Sequence, residues 1–446
     1  MRICLQTFGC KANQYDTDRM RQELEARGAL VVDRKSEVDV YVVNTCTVTN
    51  TADAEARRFI RRINREIPNV RVVVAGCSAA LRADEYANID GVEVVVPGHD
   101  PVEVAQAVGV QRGLVQLGVG RGFDQLSLEP IGGEILLRRE GATRAWLKIQ
   151  DGCDRRCSFC ATRVARGASR SRAIDEVVRE AHQLATCHPE LVLTGIHIGH
   201  YGRDLETRST LSRLLAILLD SVPRVRFRLG SIEATEVDDL LLKLIMTSGG
   251  RVAPHLHMPL QSGSDSILRE MKRWHTREAY RRRAMEIATK VTPLGLGADV
   301  ITGFPGETEA DHQDTMELIE ELPFTYLHVF PFSRRDGTVA ADLPNPVPRS
   351  VARERGRELR ELAKEKGCRY RATRLGQSSL VTLEADGRRA LTEDYLRVEV
   401  IGNGMEDLTR LHRGVLRGTG EDLYIEVPRV ASPDVGSPHL SHPSTI

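Results

Sequence analysis

The segment GCDRRCSFC, residues 152–160, carries Cys153, Cys157 and Cys160 in a Cys-x3-Cys-x2-Cys spacing. Thiolates are soft ligands that suit zinc or iron–sulfur clusters. A structural zinc site takes four ligands. The nearest further candidate here, His182, lies in a separate predicted helix. Three cysteines on a four-iron cluster would leave one iron open for a substrate or cofactor. The spacing therefore points to a catalytic cluster with an open coordination position. A zinc site completed by a distant residue is the alternative, and zinc without acid-labile sulfide would support it.

Cys10, Cys46 and Cys77 form a second group, widely separated in sequence. Each lies just past a predicted strand: after CLQTFG, after VYVVNT and after VVVAG. The C-terminal ends of parallel strands share one edge, so these thiols can converge there as a three-ligand metal site. They can equally be ordinary small buried residues, since free cysteine is often buried. Cys4 and Cys187 read as core or surface thiols, and Cys368 has no such placement.

The elements that position these groups follow from periodicity. At roughly 150 residues per domain, 446 residues suggest about three domains. Residues 1–110 alternate strand and helix, which predicts an α/β domain with a parallel sheet. Residues 101–143 are weakly patterned and suit a connection. Within 139–368, strands are predicted at 145–150, 190–195, 225–231, 254–260, 296–303 and 326–332, with helices between them. That is a full or partial (β/α) barrel, and the GCDRRCSFC loop follows its first strand, at the face where such barrels hold their chemistry. LPNPVPRSV is a break, a charged helix spans roughly 349–368, and 370–430 reads as a small β-barrel. The Ser/Pro-rich residues 431–446 read as a disordered tail.

Lys plus Arg equals Asp plus Glu at 62 each, so a nucleic-acid surface must be a local patch. Arg57, Arg58, Arg61, Arg62 and Arg65 fall on one arc of a helix opposite Phe59, Ile60, Ile63 and Ile67, with no acid between Arg57 and Arg65. RVARGASRSR, with Arg166, Arg170 and Arg172, is a second basic run beside the cysteine loop, and Arg369, Arg371 and Arg374 lead into the last domain. All are candidate RNA contacts; a solvated surface is the alternative. No apolar run is long enough to cross a membrane, MRICLQTFGC lacks signal-peptide character, and the chain is expected to be cytoplasmic.

CDRRCSFC resembles the radical S-adenosylmethionine (SAM) signature, in which the open iron binds SAM and reductive cleavage yields methionine and a 5′-deoxyadenosyl radical. QTFGCKANQYD, VNTCTVT and VAGC resemble the N-terminal domain of the methylthiotransferases, and the small β domain resembles a TRAM domain. The likeness covers about residues 1–430. It implies two [4Fe-4S] clusters: an auxiliary one on Cys10, Cys46 and Cys77, and a SAM-cleaving one on Cys153, Cys157 and Cys160. TGIHIGHYG and the segments around it are most similar to the branch acting on threonylcarbamoyladenosine in tRNA. That branch implies addition of sulfur and methyl at C2 of adenine 37, beside the anticodon, using two SAM molecules. It further implies the tRNA anticodon stem-loop and an electron donor such as flavodoxin or ferredoxin as partners; the sulfur donor stays open. Isopentenyl-adenosine in tRNA and a ribosomal-protein aspartate are alternative substrates. An iron–sulfur electron carrier is the non-enzymatic alternative, although the ferredoxin cysteine spacing is absent.

SAM is then expected against polar residues at the barrel strand ends: Thr194 and Gly195, Ser231 and Glu233, Gln261 and Ser262, and Arg273, which can pair with the SAM carboxylate. His255 and His257 read as packing or hydrogen-bonding residues.

Overall fold

A computed structural model describes residues 1–33, 37–48, 50–110, 135–401 and 407–426. The tail and most of the Gly-rich connection expected from the sequence lie outside these residues. The first region runs β1 (Arg2–Thr7), α1 (Lys11–Ala26), β2 (Leu30–Val31), β3 (Val40–Thr45), α2 (Asn50–Glu66), β4 (Arg71–Gly76), α3 (Cys77–Leu81), α4 (Ala83–Ala87), β5 (Val92–Val95) and α5 (Pro101–Val108). Its sheet is parallel, in the order β2-β1-β3-β4-β5. Strand β3, VYVVNT, is buried along its whole length, as a central parallel strand covered on both faces must be. Helix α5 occupies the start of the segment expected to be a plain connection. Asp100 caps it through the Val102 and Glu103 amides, and Gly109 ends it in the left-handed conformation.

The central region runs β6 (Arg144–Lys148), β7 (Gln150–Asp151), α6 (Thr162–Arg166), β8 (Arg170–Ser171), α7 (Ile174–Ala185), β9 (Glu190–Thr194), α8 (Leu211–Ser221), β10 (Arg226–Leu229), α9 (Asp239–Thr247), β11 (His255–His257), α10 (Asp265–Glu270), α11 (Arg277–Lys290), β12 (Gly295–Thr302), α12 (Glu309–Glu321) and β13 (Tyr326–Pro331). Strands β6, β9 and β10 form one parallel sheet and β11, β12 and β13 another. Isolated parallel bridges, Phe227 to Val252 and Ser231 to His257, join them at the β10–β11 seam. The result is a six-stranded partial barrel around one aliphatic core that includes Leu147, Leu193, Leu229, Leu256, Leu296 and Val300.

Helix α13 (Arg349–Thr373) runs longer than the sequence suggested and leads into β14 (Ser378–Leu383), β15 (Arg389–Thr392), β16 (Arg397–Ile401), β17 (His412–Gly418) and β18 (Leu423–Glu426). These close into a barrel in the order β14-β15-β16-β18-β17. Two buried arginines of β10 fasten that barrel to the central one. Both pair with Glu190, while Arg226 donates to the Leu380 carbonyl at 2.6 Å and Arg228 to the Thr392 carbonyl at 2.9 Å. No helix among the described residues is long and apolar enough to cross a membrane.

Candidate functional site

The edge of the first sheet brings Cys10, Cys46 and Cys77 together. Cys10 is the N-cap residue of α1, Cys46 follows the last residue of β3, and Cys77 opens α3 directly after β4. Gly9, at φ +103°, lets the Cys10 loop press on Cys46, because a Cβ there would overlap the Cys46 sulfur. Asn13 ties the three loops. Its Nδ2 donates to the Phe8 carbonyl at 3.0 Å and the Thr45 carbonyl at 2.8 Å, and its Oδ1 lies 3.5 Å from the Cys77 sulfur. Thr45 then accepts from the Ala79 amide at 3.0 Å, which fixes the first turn after Cys77.

The second triad is local. Gly152, at φ +68°, turns the chain out of β7. Gln150 holds the turn through the Asp151 and Gly152 carbonyls and accepts from the Ile196 and His197 amides. Ser158 anchors the far side of the loop to the Met271 and Glu270 carbonyls. His197 Nδ1 lies 3.6 Å from the Cys153 sulfur, and its Nε2 lies 2.9 Å from Glu236. Arg273 donates toward the Cys157 sulfur at 3.6 Å.

Burial pushes the Cys46 thiol up to about 11, pushes Cys77 and Cys153 up to about 12, and raises Cys157. Cys10 and Cys46 raise Cys77 further, and Cys157 and Cys160 raise Cys153, so the sulfurs within each triad lie in electrostatic reach of one another. Such thiols hold their protons until a metal displaces them. Both donor sets, three convergent soft ligands with no fourth cysteine, fit iron–sulfur clusters that keep one iron open.

Between the triads lies a buried charge network that the sequence did not suggest. Arg166 Nε donates to the Cys77 sulfur at 3.0 Å, Nη1 to Asp151 at 3.0 Å, and Nη2 to Asp16 at 2.7 Å and Asn13 at 2.6 Å. Lys148 bridges Asp16 and Asp151 at 2.7 and 2.8 Å, and His99 meets Asp151 at 3.0 Å. Burial pushes the Asp151 carboxyl up, but Arg166, Lys148 and His99 outweigh it and hold it well below the carboxylate range.

This corrects the reading of RVARGASRSR as an RNA surface. Arg166 is 1% exposed. Arg172 is buried against Glu180 at 2.9 Å, and Arg170 is half-buried near Asp151. In the run before the last domain, Arg374 is buried on Asp394 at 2.8 Å and Arg371 is engaged by the Gly420 carbonyl, whereas Arg369, beside Glu320 at 3.1 Å, stays exposed. On α2, Arg58, Arg61, Arg62 and Arg65 are exposed and line an open groove of 1120 Å³ with Phe8. Arg57 is taken by Asp53 at 2.7 Å and Glu85 at 2.6 Å, one acid a turn earlier and one on α4.

The strand-end residues divide. Glu233 and Arg273 form a buried pair at 2.6 Å beside Cys157, so the guanidinium expected to meet the SAM carboxylate already holds one. Thr194 closes β9, and Gly195 lets the chain pass the Gln150 backbone, where a Cβ would come within 2.7 Å of the carbonyl. Ser231 is exposed at the β10–β11 seam, and Gln261 lines a cavity. Ser262 accepts from the Ser264 amide and meets Thr315 on α12, as a turn residue does. His255 bonds the Tyr326 hydroxyl at 2.8 Å. A cavity of 140 Å³ is lined by Val48 and Cys160, one residue from each cysteine loop, together with Gln261, Asp299, Phe330 and Arg335.

Residues 2–98 match the Uncharacterized protein family UPF0004, and residues 147–319 the Radical SAM superfamily. The threonylcarbamoyladenosine tRNA methylthiotransferase MtaB of Bacillus subtilis (strain 168) is 36% identical, covering 98% of this chain and 95% of its own. That of Thermotoga maritima is 33% identical, covering 90% and 92%. A tRNA-2-methylthio-N(6)-dimethylallyladenosine synthase of Staphylococcus aureus is 30% identical over 80% of this chain and 70% of its own. Among solved structures, the radical SAM methyltransferase TsrM of Kitasatospora setae shares the fold at a TM-score of 0.56 and 16% identity, covering 76% and 77% of the two chains. With those matches over both cysteine-bearing regions, the chain belongs to the radical SAM tRNA methylthiotransferases, transferases that use SAM and two [4Fe-4S] clusters.

Proposed function

We propose that this enzyme methylthiolates C2 of N6-threonylcarbamoyladenosine at position 37 of tRNA, in the cytoplasm. Cys153, Cys157 and Cys160 hold the SAM-cleaving cluster, and Cys10, Cys46 and Cys77 hold the auxiliary cluster from which sulfur is delivered. The observation that carries this reading is the shared cavity: Cys160 lines one wall and Val48, two residues past Cys46, lines another. A base there would lie beside both cysteine loops. When bound, the loop cluster supplies an electron to SAM, and the auxiliary cluster supplies sulfur.

The chain's own residues supply geometry and charge. Glu233 and Arg273 form a desolvated pair beside Cys157, with Thr194, Gly195, Ser231 and Gln261 at neighbouring strand ends; these line the SAM site. Phe159, Phe330 and Phe332 give the cavity an apolar lining. The exposed arginines of α2 take phosphates of the anticodon stem-loop, and those contacts offset the few kcal/mol that turning out a stacked base costs. A flavodoxin or ferredoxin supplies the electrons. Greater similarity to the threonylcarbamoyladenosine enzymes than to the dimethylallyladenosine synthase supports the substrate.

The test is mass spectrometry of nucleosides from tRNA of a strain lacking the gene, with and without its restoration. Loss and return of the 2-methylthio form of threonylcarbamoyladenosine is the expected result. Loss of the 2-methylthio dimethylallyl form in its place would overturn the substrate reading, and an unchanged tRNA profile would move the activity to another acceptor.

A further inference from the structure

Three arginines beside the cysteine loops are matched by acids. Arg155 has Glu236, Arg166 has Asp16 and Asp151, and Arg273 has Glu233. Arg335, on the loop after β13, pairs with no carboxylate among the described residues. Its Nη1 donates to the Phe159 carbonyl at 3.3 Å and its Nη2 to the Val48 carbonyl, one group from each cysteine loop. Its Nε is shut away from water with no acceptor. The Cys160 and Cys46 sulfurs lie in its electrostatic reach, but no carboxylate among the described residues does, and a guanidinium with an unmatched buried N–H can take a further anion.

The surroundings fit that need. Arg335 is the cation in the wall of the cavity lined from both cysteine loops, among the described residues. The one carboxylate in that wall, Asp299, is already engaged by His257 at 3.1 Å and His328 at 3.2 Å. The remaining wall is largely apolar, which strengthens a charge pair there relative to one in bulk water. The loop is also held in place. Ser333 accepts from the Asn50 amide at 3.2 Å, Asn50 donates to the Arg334 carbonyl at 2.6 Å, and Asp336 pairs with Arg82 at 3.2 Å. The first domain therefore presents Arg335 to the cavity without a further ordering cost.

We propose that Arg335 is the specificity residue of the substrate pocket, receiving the free carboxylate of a threonylcarbamoyl group while the adenine lies between the cysteine loops. This rests on the substrate reading above and deepens it. Guanidinium and carboxylate match in charge and in planar geometry. A dimethylallyl group carries no anion and would leave the same guanidinium buried and unmatched, which is how the pocket rejects it.

The test uses the full-length, cluster-reconstituted enzyme and three anticodon stem-loops that differ only at N6 of the target adenine. One carries threonylcarbamoyl, one the same group with its carboxylate converted to a carboxamide, and one dimethylallyl. The methylthiolated nucleoside gives kcat/KM, and SAM cleavage and iron content are measured in parallel. The wild type should prefer acid to amide by roughly 10- to 150-fold, the range of a hydrogen bond to a charged group. Arg335→Gln should erase that preference, mostly through the acid substrate, and Arg335→Lys should restore part of it. Equal loss on acid and amide in Arg335→Gln would assign Arg335 to balancing cluster charge and overturn the proposal. So would a wild type indifferent to the amide, a result that needs no variant to fold. A wild type that modifies only the dimethylallyl RNA would sink the substrate reading and the proposal together, a pattern distinct from either of the others.

Discussion

The two thiol triads are built in opposite ways. Cys153, Cys157 and Cys160 share one loop, and the chain between them fixes their spacing. Cys10, Cys46 and Cys77 come from three strand ends and meet only once β1, β3 and β4 are in register. The first triad is a property of a segment, and the second is a property of a sheet. The second also borrows from outside its own domain: Arg166, from α6 of the barrel, donates to Cys77 while gripping Asp16 on α1 and Asp151 on β7. The strand-edge site is therefore completed by docking of the two domains, whereas the loop site lies within the barrel.

The largest expected effects separate the triads by function. Cys157→Ala should abolish 5′-deoxyadenosine formation and, with it, methylthiolation. Cys77→Ala should keep SAM cleavage, lose the methylthiolated product, and retain about half the iron. Full methylthiolation by Cys77→Ala would show that the strand-edge triad does not carry the transferred sulfur.

Arg166→Met attacks the dependence of one triad on the other domain. Removing one partner of a buried pair typically costs about 3–5 kcal/mol, against about 0–1 for an exposed pair. Asp16 and Asp151 would each lose a partner, although Lys148 remains to both, so stability in urea should fall by an amount in the buried range. Adding Asp151→Asn should recover part of it. Electron paramagnetic resonance of the reduced protein should show a shifted signal from the strand-edge cluster and an unchanged one from the loop cluster. Equal shifts in both would mean that the network supports the whole interface and not Cys77.

This network also marks the limit of what the sequence discloses. The loop triad, the six barrel strands and the amphipathic character of α2 depend on neighbours within about ten residues, and all are legible. The caps of α5, Asp100 before Pro101 and Gly109 after Val108, are local signals too, but the helix is short and precedes a Gly-rich stretch, so the segment reads as a connection. Arg166 is different. Within RVARGASRSR it looks like any solvated basic residue, and nothing local announces that Asp16, 150 positions earlier, faces it. The pairing of Arg57 with Glu85 and the engagement of Arg374 by Asp394 fail to show in the sequence for the same reason. Charge matching between elements is set by tertiary placement, which periodicity does not encode.

Gly9→Ala is a milder way to break the same comparison. At φ +103° a side chain costs about 1–3 kcal/mol, and the added Cβ would displace the Cys46 sulfur. Iron at the strand-edge triad should fall while SAM cleavage by the loop triad persists. Rates of SAM cleavage and methylthiolation that drop in parallel would mean that the two sites are not separable in this way.

The smallest effect concerns which triad's domain holds the RNA. The groove lined by Arg58, Arg61, Arg62 and Arg65 begins at Phe8, two residues before Cys10. Of these arginines, Arg62 has an acid in range, Glu66 at 3.9 Å, and both are exposed, so that pair is worth little. Replacing Arg58 and Arg61 by alanine should weaken stem-loop binding modestly and flatten the dependence of log Kd on log salt by about 1.4–1.8, the release of roughly one counterion per lost phosphate contact. Arg57→Ala is the contrasting variant: its guanidinium is held by Asp53 and Glu85, so it should lower stability and leave the salt slope unchanged. If the slope falls only with Arg58 and Arg61, the domain that holds the strand-edge triad also orients the RNA, and sulfur delivery and base placement are coupled through α2 and the Cys10 loop. If neither variant moves it, phosphate recognition belongs to the barrel or the C-terminal β domain, and the strand-edge triad approaches an RNA that other parts of the enzyme have positioned.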